Sequence, residues 1–191
     1  MKQHKRLPLA LLLVFALCIQ TLSFTSAAAA LADPEPVFSA SDMTFSSGTD
    51  AVAIPQSAVT QLSGLSSGTI IVDFTPTAMS TANCLFSLSN SSVTDAYFNL
   101  YIDNRGFLGL EVRNHGETRY VNLQGPAEVT RNTRHIMALS ADPQEGYKFY
   151  FDGDMVFQMP VALYELWEYD YRFMSTVNSA DVGYMGATYR N

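Results

Sequence analysis

Beyond residue 42, short apolar stretches recur every 8 to 15 residues, separated by Gly, Asn, Asp, Ser and Pro. No stretch carries a long 3.6-residue apolar period, so no long amphipathic helix is predicted. Many short strands broken by turn residues predict an all-β sandwich or barrel. The predicted strands are 43–46, 69–75, 85–88, 97–102, 107–113, 119–123, 134–141, 148–151, 155–159 and 181–189. Residues 57–62 fit one helical turn, and 164–171, dense in aromatics and acids, fits a short helix or an irregular loop.

Two hairpins can be read in detail. Asp152-Gly153 sits between Tyr147-Lys148-Phe149-Tyr150-Phe151 and Met155-Val156-Phe157. An Asp-Gly pair favours a tight type I′ turn, because both positions need a positive φ. Asn104-Arg105-Gly106 joins 97–102 to 107–113 as a three-residue connection, with Gly106 in the left-handed conformation.

Strand side chains alternate between faces. Phe98, Leu100 and Ile102 share one face with Leu108, Leu110 and Val112. These belong in the core, because burying each stabilises by roughly 1.5–3 kcal/mol. The opposite face then carries Tyr97, Asn99, Tyr101, Gly109, Glu111 and Arg113 and is expected to look outward. The hairpin loop sets the register: Tyr101 opposite Gly109, Asn99 opposite Glu111, Tyr97 opposite Arg113. Gly109 leaves room beside Tyr101. Aromatic rings, a carboxylate, a guanidinium and an amide on one face suit a sugar, which needs a flat apolar surface for its C–H groups and fixed polar groups for its hydroxyls. A polar outer face is also what any half-buried antiparallel sheet shows, so pattern alone leaves both readings open.

The N-terminus changes the picture of where this domain works. Met1-Lys2-Gln3-His4-Lys5-Arg6 is basic, 9–19 is apolar, and Ala30-Leu31-Ala32 fits an A-x-A cleavage site. That order predicts a secretory signal peptide over 1–32 and a secreted, extracellular or cell-surface location. The run is too short for the roughly 20 apolar residues of a spanning helix, so no membrane insertion is expected. Residues 33–42 read as a linker and 43–191 as the domain. Removing 1–32 leaves eight basic residues against 18 acidic ones, a net charge of about −10. That balance excludes nucleic acid and anionic membrane surfaces as partners. Seven of the eight are Arg, a bias toward planar, specific contacts.

Other chemistry is poorly supported. Cys84 is the one cysteine beyond the signal and lies in an apolar run, so it reads as a buried structural thiol. His115 and His135 have no Cys or His nearby in sequence, which supports neither a metal site nor a nucleophile dyad. No cofactor is expected. Glu165, Glu168 and Asp170 are acidic neighbours, but their spacing does not put them on one strand face as paired-carboxylate hydrolysis requires.

Gly68-Thr69-Ile70-Ile71-Val72-Asp73-Phe74, Leu85-Phe86-Ser87-Leu88-Ser89-Asn90, Gly109-Leu110-Glu111-Val112-Arg113 and the closing Gly186-Ala187-Thr188-Tyr189-Arg190-Asn191 carry a resemblance. The chain, from about residue 38 onward, resembles the N-terminal lectin-like domain of bacterial sialidases, carbohydrate-binding module family 40. The resemblance implies a concanavalin A-like (jelly-roll) two-sheet β-sandwich. It implies sialylated glycans as partners, and sialic acid contacts at Glu111, Arg113, Tyr101 and Arg190. The family's further aromatic would fall past Asn191. No catalytic set is readable: the arginine triad, Tyr nucleophile and Asp boxes of a catalytic propeller are not in this sequence. The resemblance therefore implies the non-catalytic N-terminal part of a secreted exo-α-sialidase, a glycoside hydrolase, which it would target to sialylated glycans. The alternative is a laminin-G-like adhesion or interaction domain that binds a protein or another glycan.

Overall fold

The computed structural model describes residues 35–45, 50–79, 82–117, 121–167, 170–177 and 179–187. The segment read as a signal peptide lies outside them, as do Thr188, Tyr189 and Arg190. Among the described residues ten strands form two antiparallel sheets. They are β1 (Val52–Ala53), β2 (Gly68–Phe74), β3 (Ala82–Ser89), β4 (Tyr97–Asp103), β5 (Leu108–Arg113), β6 (Val121–Gly125), β7 (His135–Asp142), β8 (Gly146–Phe151), β9 (Asp154–Met159) and β10 (Val182–Met185). One sheet has six strands in the order β1-β10-β3-β4-β5-β6, and the other has four in the order β2-β7-β8-β9. The fold is the two-sheet β-sandwich expected.

The core lies between the sheets. Phe98, Leu88, Leu100, Leu108, Leu110 and Val112 of the six-stranded sheet are fully buried, as are Met137, Leu139, Tyr147 and Phe149 of the four-stranded one. Phe98 meets Phe86 and Phe173 edge to ring at centroid distances of 6.0 and 5.6 Å, the offset geometry aromatic pairs prefer. Helix α1 (Gln56–Leu62) buries Ala58, Val59 and Leu62. Val59 packs over Gly183, where even a Cβ would come within 3.2 Å of Val59 and 2.9 Å of Leu88.

Both predicted hairpins form. Phe151 pairs with Asp154, and Asp152 and Gly153 take φ of 49° and 95°, as a type I′ turn requires. Gly106 has φ 83°, and Asp103 N–H donates to the Phe107 carbonyl at 3.0 Å. Residues 43–45, predicted as the start of a strand, are not one. The Phe45 ring instead lies against Gly186, and the sheet edge beside β10 is taken by Val52–Ala53, which pairs with Met185 and Tyr184. Residues 57–62 lie within α1, and the 164–171 segment opens with a four-residue helix, α2 (Tyr164–Trp167).

Candidate functional site

The register of β4 on β5 is the one alternation predicts. Tyr101 lies opposite Gly109, Asn99 opposite Glu111 and Tyr97 opposite Arg113. Extended across the sheet, the outer face carries three rows. Val182, Ser89, Tyr97 and Arg113 form the first; Tyr184, Ser87, Asn99, Glu111 and Asn122 the second; Cys84, Tyr101, Gly109 and Gln124 the third.

Gly109 is the keystone of the third row. A Cβ there would sit 2.3–2.6 Å from the Tyr101 ring carbons, so the ring lies flat over the glycine. The room that Gly109 leaves is filled by Tyr101 itself. Gln124 Nε2 donates to the Tyr101 hydroxyl at 3.4 Å, and Arg105 Nη2 donates to Gln124 Oε1 at 2.7 Å. Arg105 is gripped in turn by Asp103, through Nε at 2.8 Å and Nη2 at 2.5 Å. Burial raises the Asp103 pKa, but the Phe107 N–H and Arg105 outweigh it and hold the carboxyl below its ordinary value.

Glu111 and Arg113 sit two residues apart on β5 and share a network. The Tyr97 hydroxyl donates to Glu111 Oε1 at 2.7 Å. Arg113 Nε is 3.9 Å from the same oxygen, and Nη1 is 3.5 Å from Asp95 Oδ1. Partial burial works against the Arg113 charge. The Tyr97 hydroxyl, Asp95 and Glu111 outweigh it and raise its pKa above the ordinary value, so Arg113 stays a cation at any working pH. It can therefore hold an anion through charge-assisted bonds.

The face is more closed than alternation suggests. Tyr97, Asn99 and Tyr101 are 1%, 2% and 8% exposed. Alternation gives the side of the sheet to which a residue points, not what lies on top of it. Here Tyr101 folds onto Gly109, and the chain past β10 crosses nearby: the Ala187 carbonyl accepts from Ser87 Oγ at 2.7 Å and Cys84 Sγ at 3.0 Å. The side chains of Arg113 and Glu111 keep 33% and 15% of their surface. Solvent therefore reaches the charged end of the network and little of its aromatic floor. Ala187 is tied to this face three residues before Arg190; Arg190 itself lies outside the described residues.

The sequence matches the family model described as the sialidase N-terminal domain over residues 46–191. The chain belongs to that family. Among solved structures, this sialidase N-terminal domain is similar to the Ruminococcus gnavus IT-sialidase CBM40 bound to α2,3-sialyllactose. The identity is 24% and the TM-score 0.62, over 74% of this chain and 80% of that one. The same module bound to α2,6-sialyllactose gives a TM-score of 0.61 at 24% identity and the same coverage. A NanB sialidase from Streptococcus pneumoniae gives a TM-score of 0.61 at 23% identity over 72% of this chain, which spans only 21% of that protein. These likenesses establish the shared fold. No curated protein sequence matches the chain.

The remaining candidates have structural roles. His135 is buried between Phe74 and Phe151. Its Nε2 accepts from the Thr130 N–H at 3.1 Å, which places the proton on Nδ1, 2.8 Å from Asp152 Oδ2. Asp152 also accepts from the Ile136 N–H at 2.8 Å. His115 lies 3.1 Å from the Thr94 carbonyl. Cys84 is half-buried, not fully buried, because it faces the outer side of the sheet, and its thiol donates to Ala187. Asp170 is 3.7 Å from Arg172; Glu168 lies outside the described residues. Sequence reasoning missed Asp95 altogether and took Tyr97 for part of an exposed aromatic wall. The register could have found Asp95: Tyr97 lies opposite Arg113, so the chain two residues earlier leaves β4 beside that guanidinium.

Proposed function

We propose that this sialidase N-terminal domain is a sialic-acid-recognising module of a secreted exo-α-sialidase. Residues 1–32 direct export, and the module holds the enzyme on sialylated glycans. The observation that carries the reading is the Glu111–Arg113 pair on β5 beside the Tyr101 ring lying over Gly109. Sialic acid offers a carboxylate to Arg113, an acetamido N–H or hydroxyl to Glu111 and a ring face or methyl to Tyr101. Arg190 is the second guanidinium of this reading. The α2,3- and α2,6-sialyllactose found on the Ruminococcus gnavus module supports the choice of ligand. The long-range field of a domain with net charge about −10 opposes an anion, but screening over about 8 Å at physiological salt leaves the local guanidinium dominant.

Calorimetric titration of the chain with both sialyllactoses tests this. The intact chain binds, and Arg113→Ala loses binding with an unchanged melting temperature. Binding of a glycan or protein that ignores both Glu111 and Arg113 replacement would transfer the chain to the adhesion-domain reading.

A further inference from the structure

The planar guanidinium of arginine can grip a carboxylate with two parallel bonds along either of two edges, Nη1/Nη2 or Nε/Nη2. In Arg113 one nitrogen of each edge already lies near a carboxylate of the chain. Glu111 Oε1 lies 3.9 Å from Nε, and Asp95 Oδ1 lies 3.5 Å from Nη1. An incoming carboxylate that takes two nitrogens must move one of them.

The two are held very differently. Glu111 is on a strand, 15% exposed, and anchored by the Tyr97 hydroxyl at 2.7 Å. Asp95 is on the loop between β3 and β4, and its side chain is 52% exposed. Its backbone is left-handed, at φ 58°. Its contact to Nη1 is at the outer limit of a hydrogen bond. The loosely held carboxylate is the one that yields.

We infer that Asp95 is a built-in competitor for the ligand's carboxylate: it occupies the Nη1 edge of Arg113 in the free chain and is displaced when an anionic glycan binds. It thereby sets the affinity of the site, and acts on the anionic part of the ligand alone. This rests on the reading of Arg113 as the carboxylate-binding group. An exposed ion pair of this kind favours its closed form by about one- to fivefold. The closed fraction lowers apparent affinity in proportion. Removing the competitor therefore tightens binding by about two- to sixfold.

The test is calorimetric titration of the chain, Asp95→Asn, Asp95→Gly and Arg113→Ala with 3′-sialyllactose and with lactose, at low and high salt. Asn and Gly both tolerate a left-handed backbone, so at least one folded variant is available, and melting temperature confirms it. The expected result is about two- to sixfold tighter 3′-sialyllactose binding at low salt in the folded Asp95 variants. The gain should shrink as salt rises, because the uncovered guanidinium is a more exposed charge. The response to lactose stays unchanged. A folded Asp95 variant that binds 3′-sialyllactose no tighter than the unsubstituted chain, while Arg113→Ala loses it, overturns the competitor and leaves the proposed function standing. Failure of the unsubstituted chain and both Asp95 variants to bind at either salt takes down the proposed function and the competitor with it.

Discussion

Replacing Gly109 with alanine probes the contact on which the aromatic floor depends. The added Cβ would sit 2.3 Å from Tyr101 Cζ and 2.6 Å from both ring Cε atoms, well inside van der Waals contact. Gly109 does not use a positive φ, so the backbone accepts alanine and the whole cost is steric. Tyr101 is 8% exposed, and such overpacking costs about 1–3 kcal/mol. For a domain of this size each kcal/mol lowers the melting temperature by about 2–4 °C. The variant should therefore melt about 2–12 °C lower and bind sialyllactose more weakly, because the displaced ring no longer lies flat. The decisive measurement is the double-mutant cycle. In a Tyr101→Ala background the clash is gone, and Gly109→Ala should be neutral or stabilising by up to about 1 kcal/mol, since glycine weakens a strand interior. The destabilisation thus vanishes or reverses once the ring is gone. Equal destabilisation in both backgrounds would refute the interlock of ring and glycine.

Three further outcomes follow from the same geometry. Tyr97→Phe removes the hydroxyl that donates to Glu111 Oε1 at 2.7 Å; thermal melts should show a loss of about 1–3 kcal/mol, and calorimetry should show weaker sialyllactose binding as the loosened Glu111 closes on Arg113. Tyr147→Phe leaves the Arg172 carbonyl and N–H without the buried hydroxyl that serves both, at 2.6 and 2.7 Å, and should cost about 2–4 kcal/mol by denaturant titration. Burial holds the Tyr147 phenol well above its ordinary value of 10.0. A raised pKa contributes stability below pH 10 that is lost as pH climbs above it, so melting temperatures of the phenylalanine variant should fall less steeply above pH 10. The Ile136 N–H, then His135, hold the Asp152 carboxyl below its ordinary 3.8. Its contribution is present above that value and fades as pH drops through the lowered one, so Asp152→Asn should be less stable at pH 7 and lose less on acidification below pH 4.

The register of β4 on β5 was legible because two independent signals agreed. The apolar alternation of Phe98, Leu100 and Ile102 matched that of Leu108, Leu110 and Val112, and the loop ending in Gly106 left one way to align them. The Asp152-Gly153 turn was legible for a similar reason: its two positive φ values suit few residue pairs. What alternation cannot carry is third-dimensional cover. Nothing local to Tyr97 or Asn99 says that Tyr101 will lie on Gly109, or that the Ala187 carbonyl will reach Ser87 and Cys84 across a hundred residues of sequence. The edge strand Val52–Ala53 was missed because two exposed residues carry no period. Residues 43–46 alternate well, but alternation makes a strand only where a sheet edge is free to receive it.

A face whose polar groups already serve one another constrains how strongly it can bind. Tyr97 is committed to Glu111, Arg105 to Asp103 and Gln124, Gln124 to Tyr101, and Arg113 lies between two carboxylates. Such preorganisation keeps the ordering cost of binding low. It also means that a glycan hydroxyl or carboxylate gains a partner by displacing an internal one, so each exchange returns only the difference between two similar bonds. The net gain per contact is small, and the accessible aromatic surface is too slight to supply much more. A single copy of this face should therefore hold a sialylated glycan weakly and release it fast. Under the proposed function, a weak, fast-releasing module would suit a linked glycosidase: linkage would turn its modest affinity into a raised local concentration of substrate, and rapid release would leave each terminal sugar free to reach a catalytic site.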